Sequence, residues 1–90
     1  MFNINSKNVL ITGGASGIGK IMGRICLEKG AASLIIWDIN ESSMAAARAD
    51  LEKTAGAAGK VFTYKVNVAD DENIKAAYAA VRSEVGEVDL

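Results

Sequence analysis

The chain has 90 residues, half of them hydrophobic and 23% charged, with a formal net charge of −1: the composition of one small globular domain, residues 1–90. That balance gives no electrostatic case for nucleic acid or an anionic membrane surface, and no stretch approaches the roughly 20 apolar residues of a membrane span. With no histidine and a single cysteine, Cys26, the sequence argues against a transition-metal site and an internal disulfide. Cys26 reads as a small core residue in a reducing compartment, so a cytoplasmic protein is expected.

Met1 to Lys7 is a polar lead-in without a signal-peptide pattern. The first strand is expected from Asn8 to Thr12, followed by a glycine turn from Gly13 to Gly17. A helix comes next, with Ile18, Ile21, Met22 and Ile25 at the i, i+3, i+4, i+7 spacing of a face packed on a sheet. Gly23 inside that helix costs about 1 kcal/mol relative to alanine, which points to close packing there, and Gly30 stops the helix. The second strand, Ser33 to Trp37, is almost continuously apolar, the pattern of a strand covered on both faces. Asp38 ends it, and Asn40 can cap a second helix over Glu41 to Thr54 with Met44, Ala47 and Leu51 inward. The Ala55–Gly59 segment breaks that helix, and a third strand runs from Val61 to Val66. Asp70 or Asp71 can cap a third helix carrying Ile74, Ala77, Tyr78, Val81 and Val85. Gly86 ends it, and Val88-Asp89-Leu90 has the look of a fourth strand beginning. The pattern β-α-β-α-β-α-β with short connections predicts an α/β fold: a doubly wound, Rossmann-type parallel sheet. Three strands are complete, in order 3-2-1, with the start of strand four beside strand one; the sheet is truncated.

Three features converge at the carboxyl ends of these strands. The glycine turn can bend sharply, admit a phosphate close to backbone N–H groups and aim a helix N-terminus at it. A tight connection without a ligand is the competing reading of the glycines alone. Asp38 stands about 20 residues beyond the turn, where a dinucleotide fold places an acid to accept from the ribose hydroxyls. A carboxylate there repels a 2′-phosphate, and no Lys or Arg occupies Ser16, Ile39 or Asn40 to offset it. NAD is therefore expected over NADP. Asn67-Val68 ends the third strand, where an amide can bond the adenine edge while the valine packs on the ring. Thr12 is read as a structural tie of the turn, and Trp37 and Tyr78 as core or partly covered residues.

With these residues in place, the chain resembles the classical short-chain dehydrogenases/reductases. The resemblance rests on Thr12-Gly13-x-x-x-Gly17-x-Gly19, Asp38, Asn67-Val68 and the Val85–Leu90 segment, and covers essentially the whole sequence. It implies an oxidoreductase that transfers a hydride between a nicotinamide cofactor and a carbonyl or secondary alcohol. It implies Gly13, Ser16, Gly17, Ile18 and Gly19 around the pyrophosphate, Asp38 and Ile39 at the adenosine ribose, and Asn67 and Val68 at the adenine. Asn67 replaces the commoner aspartate, and its amide oxygen can still accept from the adenine amino group. The run Leu34–Asn40 looks most like members acting on retinoids, steroids and other lipophilic alcohols. A small-molecule alcohol or ketone substrate, and a homo-oligomer at full length, are implied as well.

The family's catalytic Ser, its Tyr-x-x-x-Lys pair and its assisting Asn have no counterpart here. Tyr64 and Tyr78 are followed four residues on by Val68 and Arg82. The 90 residues alone are thus expected to be catalytically inactive, and no catalytic residue is assigned. The alternative is a short non-catalytic nucleotide-binding or self-associating module with an exposed strand-one edge. A methyltransferase-like fold fits the glycine spacing less well.

Overall fold

The computed structural model describes residues 6–13, 17–53 and 60–89. Its centre is a parallel sheet of β1 (Asn8–Thr12), β2 (Ser33–Asp38) and β3 (Val61–Lys65), in the order β1-β2-β3. Leu10 pairs with Ile35 and Ile35 with Phe62, so β2 is flanked on both sides. Its continuous apolar run has the expected consequence: Ser33 to Trp37 are all buried. Burying each large aliphatic side chain stabilises the fold by about 1.5–3 kcal/mol.

Alternation along the strands divides the core in two. On one face Val9, Leu34, Ile36 and Val61 meet Cys26 and Leu27 of α1 (Gly17–Glu28) and Met44, Ala47 and Leu51 of α2 (Glu41–Leu51). On the other, Leu10, Ile35, Trp37, Phe62 and Tyr64 pack with Ile74, Ala77 and Val81 of α3 (Asp71–Glu84). Right-handed crossovers stepping one way, from β1 to β2 to β3, put α1 and α2 on the same face, and α3 covers the other.

The helix termini follow the sequence signals. Asn40 Oδ1 accepts from the Ser43 N–H at 2.9 Å, and Asp70, rather than Asp71, caps α3 by accepting from Glu72 and Asn73. Gly30 and Gly86 take φ of +88° and +123° after α1 and α3, the conformation glycine adopts without strain. α2 ends at Leu51, short of the expected Thr54; the Ala55–Gly59 break lies outside the described residues.

One expectation is overturned. Ile18, Ile21, Met22 and Ile25 do not pack on the sheet; they are 46–76% exposed. The face of α1 that is buried carries Gly23, Cys26 and Leu27 instead. At Gly23 a Cβ would stand 2.8 Å from Leu34 Cδ2, so the missing side chain is what lets α1 lie close on β2. Close approach selects the small-residue face, and at 100° per residue that turns the isoleucine stripe outward. Lys20 and Arg24 face α2, both paired with Asp50, so the stripe points away from α2 as well.

Residues 86–89 form no strand. They do lie along the outer edge of β1, where Asp89 N–H donates to Asn8 O and Asn8 N–H to Asp89 Oδ2, both at 2.9 Å.

Candidate functional site

All three strands run in the same direction, so their carboxyl ends deliver three connections to one edge of the sheet. There Thr12 and Gly13, Trp37 to Ile39, and Val66 to Val68 line a groove of about 370 Å³. Five of the residues singled out in the sequence, Gly13, Asp38, Ile39, Asn67 and Val68, meet in it. Gly17, Ile18 and Gly19 form the first turn of α1 at the end of the same connection, and Ser16 lies outside the described residues.

The groove floor is held by the sheet itself. Gly13 N–H donates to Trp37 O at 2.7 Å, which carries the β1–β2 hydrogen bonding one step past the strand. Gly13 and Gly17 take φ of +68° and +57°, the left-handed region that costs other residues about 1–2 kcal/mol. Among the described residues, an added Cβ at either glycine would meet nothing within 4 Å. Those residues leave the space open, as a close backbone approach by a ligand requires. The first turn of α1 carries no acidic side chain, so nothing there offsets the positive end of the helix.

Asp38 sits half-buried at the end of β2, and its Oδ1 accepts from the Asn40 N–H at 3.2 Å. That contact fixes how the carboxylate is presented, and Asn40 was recognisable in the sequence only as a helix cap. A carboxylate accepts and cannot donate, which suits a vicinal diol. Across the groove, Asn67 N–H donates to Asn73 Oδ1 at 2.7 Å while its own Oδ1 accepts from Ala69 N–H at 3.0 Å. An amide oxygen has two lone pairs, so Asn67 keeps one acceptor position while the turn holds its side chain. Ile39 and Val68 are 61% and 55% exposed, two uncovered apolar side chains at the rim. Open glycines, a diol acceptor and apolar flanks fit the adenosine and phosphate half of a dinucleotide. Val66 and Asn73, the latter orienting Asn67, carried no signal of their own in the sequence.

The tyrosines stand apart from the groove's lining. Tyr64 O–H donates to Glu84 Oε1 at 2.8 Å. Burial first, and then that carboxylate, push its pKa up to about 12. Tyr78 is partly exposed, with the Arg82 guanidinium 6.0 Å from its ring centroid. Trp37 is a core residue, as expected, and its Nε1–H is buried without a partner among the described residues. Cys26 is buried too, and burial pushes its thiol pKa up. No group of three or more His, Cys, Asp or Glu among the described residues is placed to hold a metal ion, and no described helix is long and apolar enough to cross a membrane.

Known proteins share both the sequence and the arrangement. Estradiol 17-beta-dehydrogenase 11 of Pongo abelii is 32% identical over 88 residues, 98% of this chain and 28% of the relative. A short-chain dehydrogenase/reductase from Burkholderia phymatum, solved in complex with NAD, superposes with a TM-score of 0.85 at 27% identity, covering 98% of this chain and 30% of that one. L-sorbose reductase from Gluconobacter frateurii, complexed with NADPH and L-sorbose, gives 0.85 at 27% identity over 98% of this chain and 33% of that one. The chain spans about a third of the length of the relatives it matches. The short chain dehydrogenase family model matches residues 7–90, from the lead into β1 through the segment beside Asn8, and the chain belongs to that family.

Proposed function

We propose that these residues are the cofactor-binding, amino-terminal portion of an NAD-dependent short-chain dehydrogenase/reductase acting on a small-molecule alcohol or ketone. The observation that carries this is the groove in which Gly13, Asp38, Ile39, Asn67 and Val68 meet beside the open turn of Gly17. In this reading Gly13, Ser16, Gly17, Ile18 and Gly19 surround the pyrophosphate. Asp38, steadied by the Asn40 N–H, accepts from the ribose hydroxyls with Ile39 beside it, and Asn67 and Val68 hold the adenine. NAD, when bound, supplies a hydride acceptor at the nicotinamide. The 90 residues contribute binding and orientation; with no Tyr-x-x-x-Lys pair they move no proton and turn over nothing alone. The segment at Val88–Asp89, not itself a strand, lies where a fourth strand beside β1 is expected, a placement supported by the Asp89–Asn8 hydrogen bonds. The lipophilic-alcohol likeness of the Leu34–Asn40 run is supported by the similarity to estradiol 17-beta-dehydrogenase 11. We also place the protein in the cytoplasm and, at full length, in a homo-oligomer.

The test is direct titration with NAD and NADP. NAD is expected to bind more tightly, and Asp38→Ala to abolish that preference. Equal affinity for both cofactors in the wild type, or a preference that survives Asp38→Ala, would remove Asp38 from the ribose.

A further inference from the structure

The sequence shows no cation next to Asp38 along the chain, but the sheet supplies one across it. Asp38 and Lys65 are register partners at the carboxyl ends of β2 and β3. Neighbouring strands lie about 4.8 Å apart, and register partners in a parallel pair project to the same face. Which face is settled by the core: Leu34 and Ile36 alternate with Asp38, Val61 alternates with Lys65, and all three hydrophobics pack under α1 and α2. Lys65 is exposed and reaches a second groove, of about 400 Å³, beside Glu41 and Thr63. Lys65 therefore stands one strand over from Asp38 on the same side of the sheet, lining the neighbouring groove rather than that of Asp38, with a four-carbon stem to swing on.

Resting on the assignment of Asp38 to the ribose, we propose that Lys65 is a specificity-determining residue that sets how strongly NAD is preferred over NADP. A 2′-phosphate on a ribose held by Asp38 brings about two negative charges beside that carboxylate. Lys65 is the cation that the β2–β3 register places beside Asp38 to offset them. One positive charge against two negative ones would be worth about tenfold in affinity if they came within about 6 Å in water-like surroundings. The discrimination against NADP is accordingly moderate, and it is a property of the pair Asp38–Lys65 rather than of Asp38 alone. Of the other charges lining that groove, Glu41 pulls in the opposite direction, while Arg48 and Glu52 are paired with each other.

The experiment is a charge series at position 65, read as Kd for NAD and NADP at low salt, with AMP and adenosine 2′,5′-bisphosphate as probes of this half alone. Lys65→Arg is expected to keep the wild-type ratio. Lys65→Met should weaken NADP about tenfold and Lys65→Glu about a hundredfold, with NAD changed less than about threefold throughout. Those differences should shrink in about 0.5 M salt, since the charges are exposed to screening. A merely structural lysine would move both cofactors together and show no salt dependence. If NAD binds and the ratio stays constant from Arg through Glu, the role of Lys65 is wrong and the functional reading stands. If the wild type binds neither cofactor nor either probe, the functional reading itself is wrong.

Discussion

Gly17→Ala separates a ligand-binding turn from a tight connection. The residue begins α1 at φ +57°, and an added Cβ would meet nothing within 4 Å among the described residues. The cost to folding is therefore conformational only, about 1–2 kcal/mol for an L-residue in the left-handed region. A chain of 90 residues has roughly 5–13 kcal/mol of stability, so the variant stays folded, with Tm lower by about 4–16 °C. Binding should suffer separately, because the new methyl group occupies the space through which phosphate oxygens reach backbone N–H groups. Losing one hydrogen bond to a charged group costs about 1.5–3 kcal/mol, a ten- to hundredfold weaker NAD complex. Gly23→Ala is the control: its Cβ would press on Leu34 at 2.8 Å, away from the groove. There overpacking of about 1–3 kcal/mol is set against a helix gain of about 1, so stability falls modestly while NAD affinity holds. Thermal unfolding by circular dichroism gives the first quantity, and calorimetric titration of NAD well below Tm the second. A Gly17→Ala variant with the lowered Tm and undiminished NAD affinity would show the glycine to be a turn residue and nothing more.

The orientation of α1 predicts unequal costs on its two faces. Leu27→Ala, at 6% exposure, should lose about 2–5 kcal/mol in urea unfolding, while Ile21→Ala, at 56%, should stay within about 0.5; equal losses would restore the isoleucine face to the sheet. Asn40→Ala removes the α2 cap and should cost about 1 kcal/mol, and it leaves the backbone N–H that steadies Asp38 in place, so NAD affinity should change little by titration. Tyr64 should ionise near pH 12 in an ultraviolet titration, and Glu84→Gln should bring it part of the way down, burial keeping the rest. Because its folded pKa lies above the unfolded value near 10, its stabilising contribution is complete below pH 10 and disappears as pH rises through about 12. A Tyr64 transition near 10 in the folded protein would contradict the contact with Glu84.

The strands were legible because their signal is independent of what covers them. Ser33–Trp37 is apolar at every position but its first, and only burial on both faces makes that stable, so a central parallel strand followed from composition alone. Gly13 and Asp38 were legible for a related reason: sharp turns and strand-end acids are local demands, and the parallel sheet then brings their positions together without further instruction. The face of α1 was not legible, because hydrophobic periodicity weighs side chains by size and a glycine weighs nothing. Yet it is the absent side chain at Gly23 that decides the packing, by bringing the helix backbone down onto Leu34. Lys65, proposed above to bear on cofactor choice, was hidden for a different reason. It stands 27 positions from Asp38 in the chain, and only the β2–β3 register makes them neighbours. No cation therefore stands beside Asp38 along the sequence, although electrostatics acts through space. The cofactor preference proposed for this site would follow from the charges brought together at the strand ends, and those are set by register as much as by motif.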